Sequence, residues 1–374
     1  MRVAPILAAL GVLVLKLQAA AAYPQFQLTT GSDRCQACHL SPAGGGLLSA
    51  FGKDEAGGTI STRGDGRLLH GLWEPPSWLA LGGDFRSAAG VKHQAERTRG
   101  LAFPMQADLY ANLSFGSWSF NLIAGLRGAT RTPRPDLIYR LGSREHYLMY
   151  QREAGEGLVL RAGRFFPVFG LRSQDHTAYV RRYLGQHTLE EPYGVAAGYL
   201  GESWEAHLSL FVPQPVPLLG AGPPAKGVAA YYERRLHDDR AAVAAQAKLA
   251  VTDEDTRLTL GGVGKLWLEG PGLLLLGELN VQRQSFEVGE PRLQIASYLG
   301  ATRVLLPGWM VTAAIQQWEP DLTLRSSTRS ATELNLQWFP IAHLELHLLG
   351  RLEAVGNNYD DPGLLTLLQV HYFL

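Results

Sequence analysis

His343-Leu344-Glu345-Leu346-His347-Leu348-Leu349-Gly350-Arg351-Leu352-Glu353 sets leucine at 344, 346, 348 and 352 against imidazole or charged side chains at 343, 345, 347, 351 and 353. A helix would scatter these residues around its axis, whereas a period of two gathers these four leucines on one face of a strand and the five polar groups on the other. One face asks for hydrocarbon and the other for water, the pattern of a transmembrane barrel strand. Leu334, Leu336 and Trp338 alternate in the same way with Glu333, Asn335 and Gln337. Trp118, Phe120, Leu122, Ala124 and Leu126 oppose Ser117, Ser119, Asn121 and Arg127, and Ala107, Leu109, Ala111 and Leu113 oppose Gln106, Asp108, Tyr110 and Asn112. Each segment is about ten residues long, which is what a tilted strand needs to cross a bilayer.

From residue 77 onward such segments begin near 77, 104, 117, 144, 156, 193, 203, 227, 240, 257, 271, 292, 308, 328, 342 and 363. The expected fold is all-β: an antiparallel transmembrane β-barrel of about 16 strands over 77–374, closed by an even strand number. Phe115-Gly116, Ala154-Gly155, Gly201-Glu202 and Pro340-Ile341 read as tight turns, and 90–103, 130–143, 166–192 and 213–226 as long loops. Short periplasmic turns and long extracellular loops would then place both termini in the periplasm. The Ala-rich stretch 240–250 also reads as helix, which leaves the count open by two. A soluble β-sandwich is the alternative, and it needs a partner sheet over the leucine faces. With 42 Gly, 14 Tyr, 13 Phe and 8 Trp the composition favours strands and turns. No segment after the leader offers the roughly 20 apolar residues of a membrane helix. The last residues, Val370-His371-Tyr372-Phe373-Leu374, resemble the terminal strand recognised by outer-membrane assembly machinery, with Leu in the final place and Phe one before it.

The first 76 residues read differently. Met1-Arg2, an apolar run from Pro5 to Leu17 broken by Lys16, and Ala20-Ala21-Ala22 form an export signal with its cleavage site, so that Tyr23 begins the mature chain. The 34 basic residues less Arg2 and Lys16 leave 32 against 34 acidic ones, a balance that argues against a nucleic-acid partner. Cys35-Gln36-Ala37-Cys38-His39 holds both cysteines of the chain. Two thiols at this spacing followed by an imidazole are what covalent attachment of one haem c uses, with thioethers from Cys35 and Cys38 and His39 as proximal ligand on iron. A disulfide is the alternative reading of the same cysteines. The expected division is a signal peptide at 1–22, a monohaem segment at 23–56, a linker at 57–76 and the barrel beyond. A segment this short has no core of its own, and a lumen of about sixteen strands is wide enough to hold a plug. Residues 23–76 are therefore expected in or against the periplasmic mouth.

Phe26, the Cys35–His39 site, Pro42, Leu47 and Phe51-Gly52, followed by a barrel, resemble the fused monohaem cytochrome–porin family of outer-membrane electron-transfer proteins, as in iron-oxidising bacteria. Gly44-Gly45-Gly46 and the long stretch 57–76 depart from that family's pattern. The resemblance implies an electron-transfer protein rather than a hydrolase or transferase. It would work in the bacterial outer membrane, between an extracellular donor or acceptor such as Fe(II) and a periplasmic c-type cytochrome or other electron carrier. The stretch RAGRFFPVFGL at 161–171 resembles a segment of phosphate-selective-type porins in which a strand enters the third extracellular loop. The loop after it, with Arg172, Asp175, His176, Arg181, Arg182 and His187, either narrows the lumen or is a solvated charged loop. A porin-like diffusion channel, with the haem segment as regulatory or docking element, is the alternative function.

No Met lies between His39 and Met105, so His70, the nearest downstream histidine, is the candidate distal haem ligand. His93 falls in the first expected loop, the inward-facing His207, His343, His347 and His371 are further candidates, and an open coordination site is a third possibility. Enzymatic haem chemistry lacks a distal acid–base set near the motif. Gly261-Gly262-Val263-Gly264-Lys265 reads as a glycine-bearing strand rather than a phosphate loop, and Asp253, Glu254, Asp255, Asp360 and Asp361 read as solvated loop acids rather than a cation site.

Overall fold

A computed structural model describes residues 28, 32, 34–127, 141–173, 175–187, 190–214, 225–356 and 361–374. The expected signal peptide, Phe26 and Asp360 lie outside the described residues. The period-two segments form β1 (Leu79–Gln94), β2 (Arg97–Phe115), β3 (Trp118–Arg127), β4 (Leu141–Glu153), β5 (Glu156–Arg164), β6 (Tyr193–Leu200), β7 (Trp204–Val212) and β8 (Lys226–Leu236). They continue as β9 (Ala241–Val251), β10 (Asp255–Leu268), β11 (Leu273–Phe286), β12 (Arg292–Leu306), β13 (Trp309–Glu319), β14 (Arg329–Ile341), β15 (Leu344–Val355) and β16 (Gly363–Phe373). Every strand pairs antiparallel with its sequence neighbours, and β1 pairs with β16, with Arg86 opposite His371, to close a 16-strand barrel.

The alternation maps onto the two faces. On β13, Met310, Thr312, Ala314, Gln316 and Trp318 are buried on the inner face, while Ile315 points outward and is exposed. Outward-facing Leu208, Leu260, Leu279, Leu334, Leu348 and Leu368 are exposed, and inward-facing Asp108, Glu205, Glu233, Asn280 and Glu333 are buried. That is the inverse of a soluble protein and excludes the sandwich alternative. Outward rings gather near one end of the strands: Trp118 on Tyr150 at 5.1 Å, Trp204 on Tyr199 at 5.3 Å and Trp309 on Trp338 at 5.1 Å. Such a girdle belongs at a membrane–water interface. This is also the end of the tight turns, where β1 starts and β16 finishes.

One expectation is corrected and one ambiguity is settled. Residues 90–103 are not a long loop: β1 and β2 run on as a ribbon to a two-residue turn at Ala95 and Glu96, both in the left-handed region (φ 47° and 60°) that suits a tight hairpin. His93 is consequently a strand residue, bonded to Thr98 Oγ1 at 2.8 Å. Ala241–Val251 is a strand despite its alanines, because hydrogen-bonded partners on both sides override weak local helix propensity. Gly261–Lys265 lies within β10.

Candidate functional site

The site is built on a single helical turn. In α1 (Cys35–Cys38) the His39 N–H donates to Cys35 O at 3.0 Å, so the two cysteines, three residues apart, share one face. His39 leaves the turn in extended conformation and pairs with Leu48. The chain returns through Gly44, Gly45 and Gly46, whose φ values of 76°, 71° and 64° account for three glycines in succession. Ser49 ties the return to the motif: its N–H donates to Cys38 O at 2.9 Å, and its hydroxyl donates to Ala37 O at 2.6 Å while capping α2 (Ala50–Glu55) at Gly52 N. α2 crosses the motif so closely that a Cβ on Gly52 would lie 2.2 Å from Cys38 O.

This unit sits in the tight-turn mouth of the barrel. Arg34 donates to Gly155 O at 3.1 Å and to Gly201 O at 3.0 Å, in the β4–β5 and β6–β7 turns. Gln36 donates to Gln151 on β4 at 2.6 Å. Across the mouth, Thr62 N–H donates to Phe339 O at 2.9 Å and Ala342 N–H to Arg63 O at 2.8 Å, and His343 Nε2 lies 2.9 Å from Arg67 O. Residues 34–67 thus bridge both sides of the rim.

The two cysteines face different surroundings. Cys38 packs with Ile60, Met310 and Phe339, flanked by Val304 and Phe373. Cys35 lies near the charges of Arg172, Lys265, Glu205 and Glu233, and burial pushes its thiol upward. Among these charges Arg172 Nη2 is 2.9 Å from Glu205 and 4.0 Å from Glu233, and Lys265 is 2.7 Å from Glu233. Arg172 belongs to the β5–β6 loop, which folds into the lumen. It donates to Pro42 O at 2.9 Å, and its guanidinium lies 5.0 Å from the Tyr231 ring.

The rest of that loop crosses to the far wall. Leu171 N–H donates to Glu278 at 2.8 Å and Lys248 donates to Leu184 O at 3.0 Å. In α3 (Tyr179–Arg182), Tyr179 N–H donates to Gln316 at 2.8 Å and its hydroxyl to Glu353 at 2.6 Å. At the loop base Glu191, fully buried, sits between Arg144 at 3.3 Å and Arg164 at 3.4 Å. Of the two readings offered by the sequence, the lumen-narrowing loop is the one observed.

The structure brings Cys35, Cys38 and His39 together and buries all three. His70 is exposed, its Nδ1 is 3.3 Å from Asp65 O, and its ring lies 4.6 Å from that of His343 in the β14–β15 turn. The other inward-facing histidines have partners on the wall: His371 with Asp84 and Glu345, each at 2.8 Å, His347 with Asn335 at 2.9 Å, and His207 with Glu205 at 3.9 Å. Met310 is the residue that sequence reasoning passed over. Two thiols on one helical face, an adjacent imidazole and an apolar flank containing a thioether form a donor set that fits a haem c.

No family model matches the chain, and no curated protein does either. Among solved structures it is similar to the outer-membrane protein OmpT of Vibrio cholerae, with a TM-score of 0.59 and 10% identity over 80% of this chain and 99% of that one. It is similar also to the outer membrane channel DcaP of Acinetobacter baumannii, at TM-score 0.57 and 14% identity over 79% of this chain and 97% of that one. For OprB of Pseudomonas putida the TM-score is 0.60, at 11% identity over 79% and 94% of the two chains. The shared feature is the porin-type barrel of the bacterial outer membrane.

Proposed function

We propose that the barrel spans the outer membrane with its tight-turn end and both termini in the periplasm, and that the plug in its mouth carries one covalent haem c. The chain would then pass single electrons between an extracellular donor or acceptor and a periplasmic c-type cytochrome or other carrier. The observation that carries this reading is the burial of Cys35, Cys38 and His39 inside a lumen that the β5–β6 loop also crosses. Bound there, haem c supplies a one-electron Fe(III)/Fe(II) couple. The chain's own residues do the rest: Cys35 and Cys38 attach, His39 ligates, and Ile60 and Phe339 keep water from the Cys38 side. With Fe(II) as donor, one electron leaves it, Fe(III) remains outside, and one electron reaches the periplasmic carrier.

A second reading, a porin-like channel whose plug regulates passage or docks another protein, is the one the comparisons favour. Among the neighbours are an outer membrane channel of Acinetobacter baumannii and an anion-selective porin of Comamonas acidovorans. The two separate in one preparation of the purified protein in liposomes. Haem staining on a denaturing gel, followed by anoxic Fe(II) and a reduced-minus-oxidised spectrum, tests the first. Single-channel recording in planar bilayers tests the second. Covalent haem reduced by Fe(II) in a non-conducting barrel supports the conduit. A steady ohmic current from haem-free protein overturns it in favour of the channel.

A further inference from the structure

The inner face of β13 follows a lumen pattern of small or polar residues at 312, 314 and 316, yet it begins with Met310. Met310 is 2% exposed and shares one cluster with Cys38, Ile60 and Phe339. A methionine of the wall therefore shares one buried apolar cluster with the second cysteine of the attachment motif, among neighbours that are otherwise hydrocarbon. Its strand end is held in register with the plug, since Thr62 Oγ1 reaches both Pro307 O at 3.3 Å in the β12–β13 turn and Phe339 O at 3.2 Å on β14, the strand paired with β13. His70, by contrast, is exposed and engaged with Asp65 and His343 at the outer rim. We infer that Met310 of the barrel wall, rather than His70 of the plug, is the axial ligand opposite His39.

The inference rests on the haem reading above. It adds that the coordination sphere is shared between plug and barrel, so the plug is locked to the wall when Met310 Sδ donates its lone pair to iron. Methionine suits the position: three rotatable bonds let the sulfur reach a ligand from a fixed strand, and its soft thioether favours the reduced iron, raising the potential relative to two imidazoles. Met149 provides an internal control. It also faces inward and is buried, but in a different cluster with Tyr147, Val159, Phe165 and Leu200.

The test compares wild type, Met310→Leu, Met149→Leu and His70→Ala as full-length proteins in detergent, each checked for covalent haem by gel staining and for the barrel by heat-modifiable mobility. Leu conserves the volume of Met and keeps the cluster apolar. The expected result is a methionine-to-iron charge-transfer band in the ferric wild type that is lost in Met310→Leu, with a lowered midpoint potential, and kept in the other two variants. A low-spin ferric wild type that lacks the band, and whose spectrum and midpoint potential change in His70→Ala but not in Met310→Leu, overturns the assignment while leaving the haem reading intact. Absence of covalent haem in the wild type overturns both. A second measurement needs no variant at 310. In reduced protein carrying methyl-labelled Met, one methionine methyl is displaced far upfield by the haem ring current, and Met105→Leu and Met149→Leu both leave that signal in place. Its disappearance in either variant refutes Met310.

Discussion

Arg172→Ala tests whether plug and loop are one mechanical unit. The Arg172 side chain is 4% exposed and links three parts: Pro42 of the plug at 2.9 Å, Glu205 on β7 at 2.9 Å and Glu233 on β8 at 4.0 Å. Truncation strips Glu205 of its guanidinium partner in a buried site, whereas Glu233 keeps Lys265 at 2.7 Å. Breaking a buried pair by removing one partner costs about 3–5 kcal/mol, which here falls on the loop's attachment to the wall. Of these Arg172 contacts, the hydrogen bond to Pro42 O is the one that joins the loop to the plug, and a charge-assisted bond of that kind is worth about 1.5–3 kcal/mol. The open fraction of the plug should therefore rise by about one to two powers of ten, and that of the loop by more. Native-state proteolysis of liposome-embedded protein reads both, because cleavage within 34–67 and within 165–187 follows the open populations when reclosing is fast. Arg172→Lys, which keeps the charge without the fork, should fall between Ala and wild type. Cleavage of both segments at the wild-type rate in Arg172→Ala would refute the coupling.

Gly52→Ala places a methyl 2.2 Å from the backbone of Cys38, so α2 must lift off the motif; haem staining and plug protection should fall while heat-modifiable barrel mobility survives. Ile315→Arg puts a charge on the lipid face midway along β13 and should cost about 2–4 kcal/mol in urea unfolding from vesicles, whereas Thr312→Ser, on the lumen side of the same strand, should cost far less. His176 is lowered from 6.5 to about 4 by burial, with His187, Arg181 and Arg86 acting in the same direction and Asp175 opposing. The unfolded loop therefore takes up a proton before the folded one does. The stability from this group is present above about pH 6.5 and declines as pH falls toward 4. Loop proteolysis should rise across that window, and His176→Gln should flatten the profile.

The barrel was legible because its determinant is local. A period of two over about ten residues fixes both the face and the length of a strand, and fifteen of sixteen expected starts fall within three residues of the observed ones. The exception, β2, starts at Arg97 rather than near 104 because the tip of the ribbon, 92–94 against 97–99, is polar on both faces and no apolar phase marks it. The aromatic girdle was also readable in Trp118, Tyr150, Trp204, Trp309 and Trp338, each within four residues of a tight turn, but only once the turns were known.

The site was legible only where it is contiguous. Cys35, Cys38 and His39 announce themselves by spacing; Met310 lies far away in sequence and is joined to them by the fold alone. A physical signal nevertheless exists. An inner-face position bordering water should be polar, so an apolar residue in the inward phase means that something apolar covers it. Met310 and Phe339 are covered by Cys38 and Ile60 of the plug. Leu274 and Leu276 are covered by Leu28, Val168 and Leu171, Phe211 by Phe169, and Trp318 by Tyr183 and its α3 neighbours. The violations of the alternating pattern thus trace the footprint of plug and loop on the wall. That several separate strands carry it argues that the wall is built to hold both plug and loop inside the barrel.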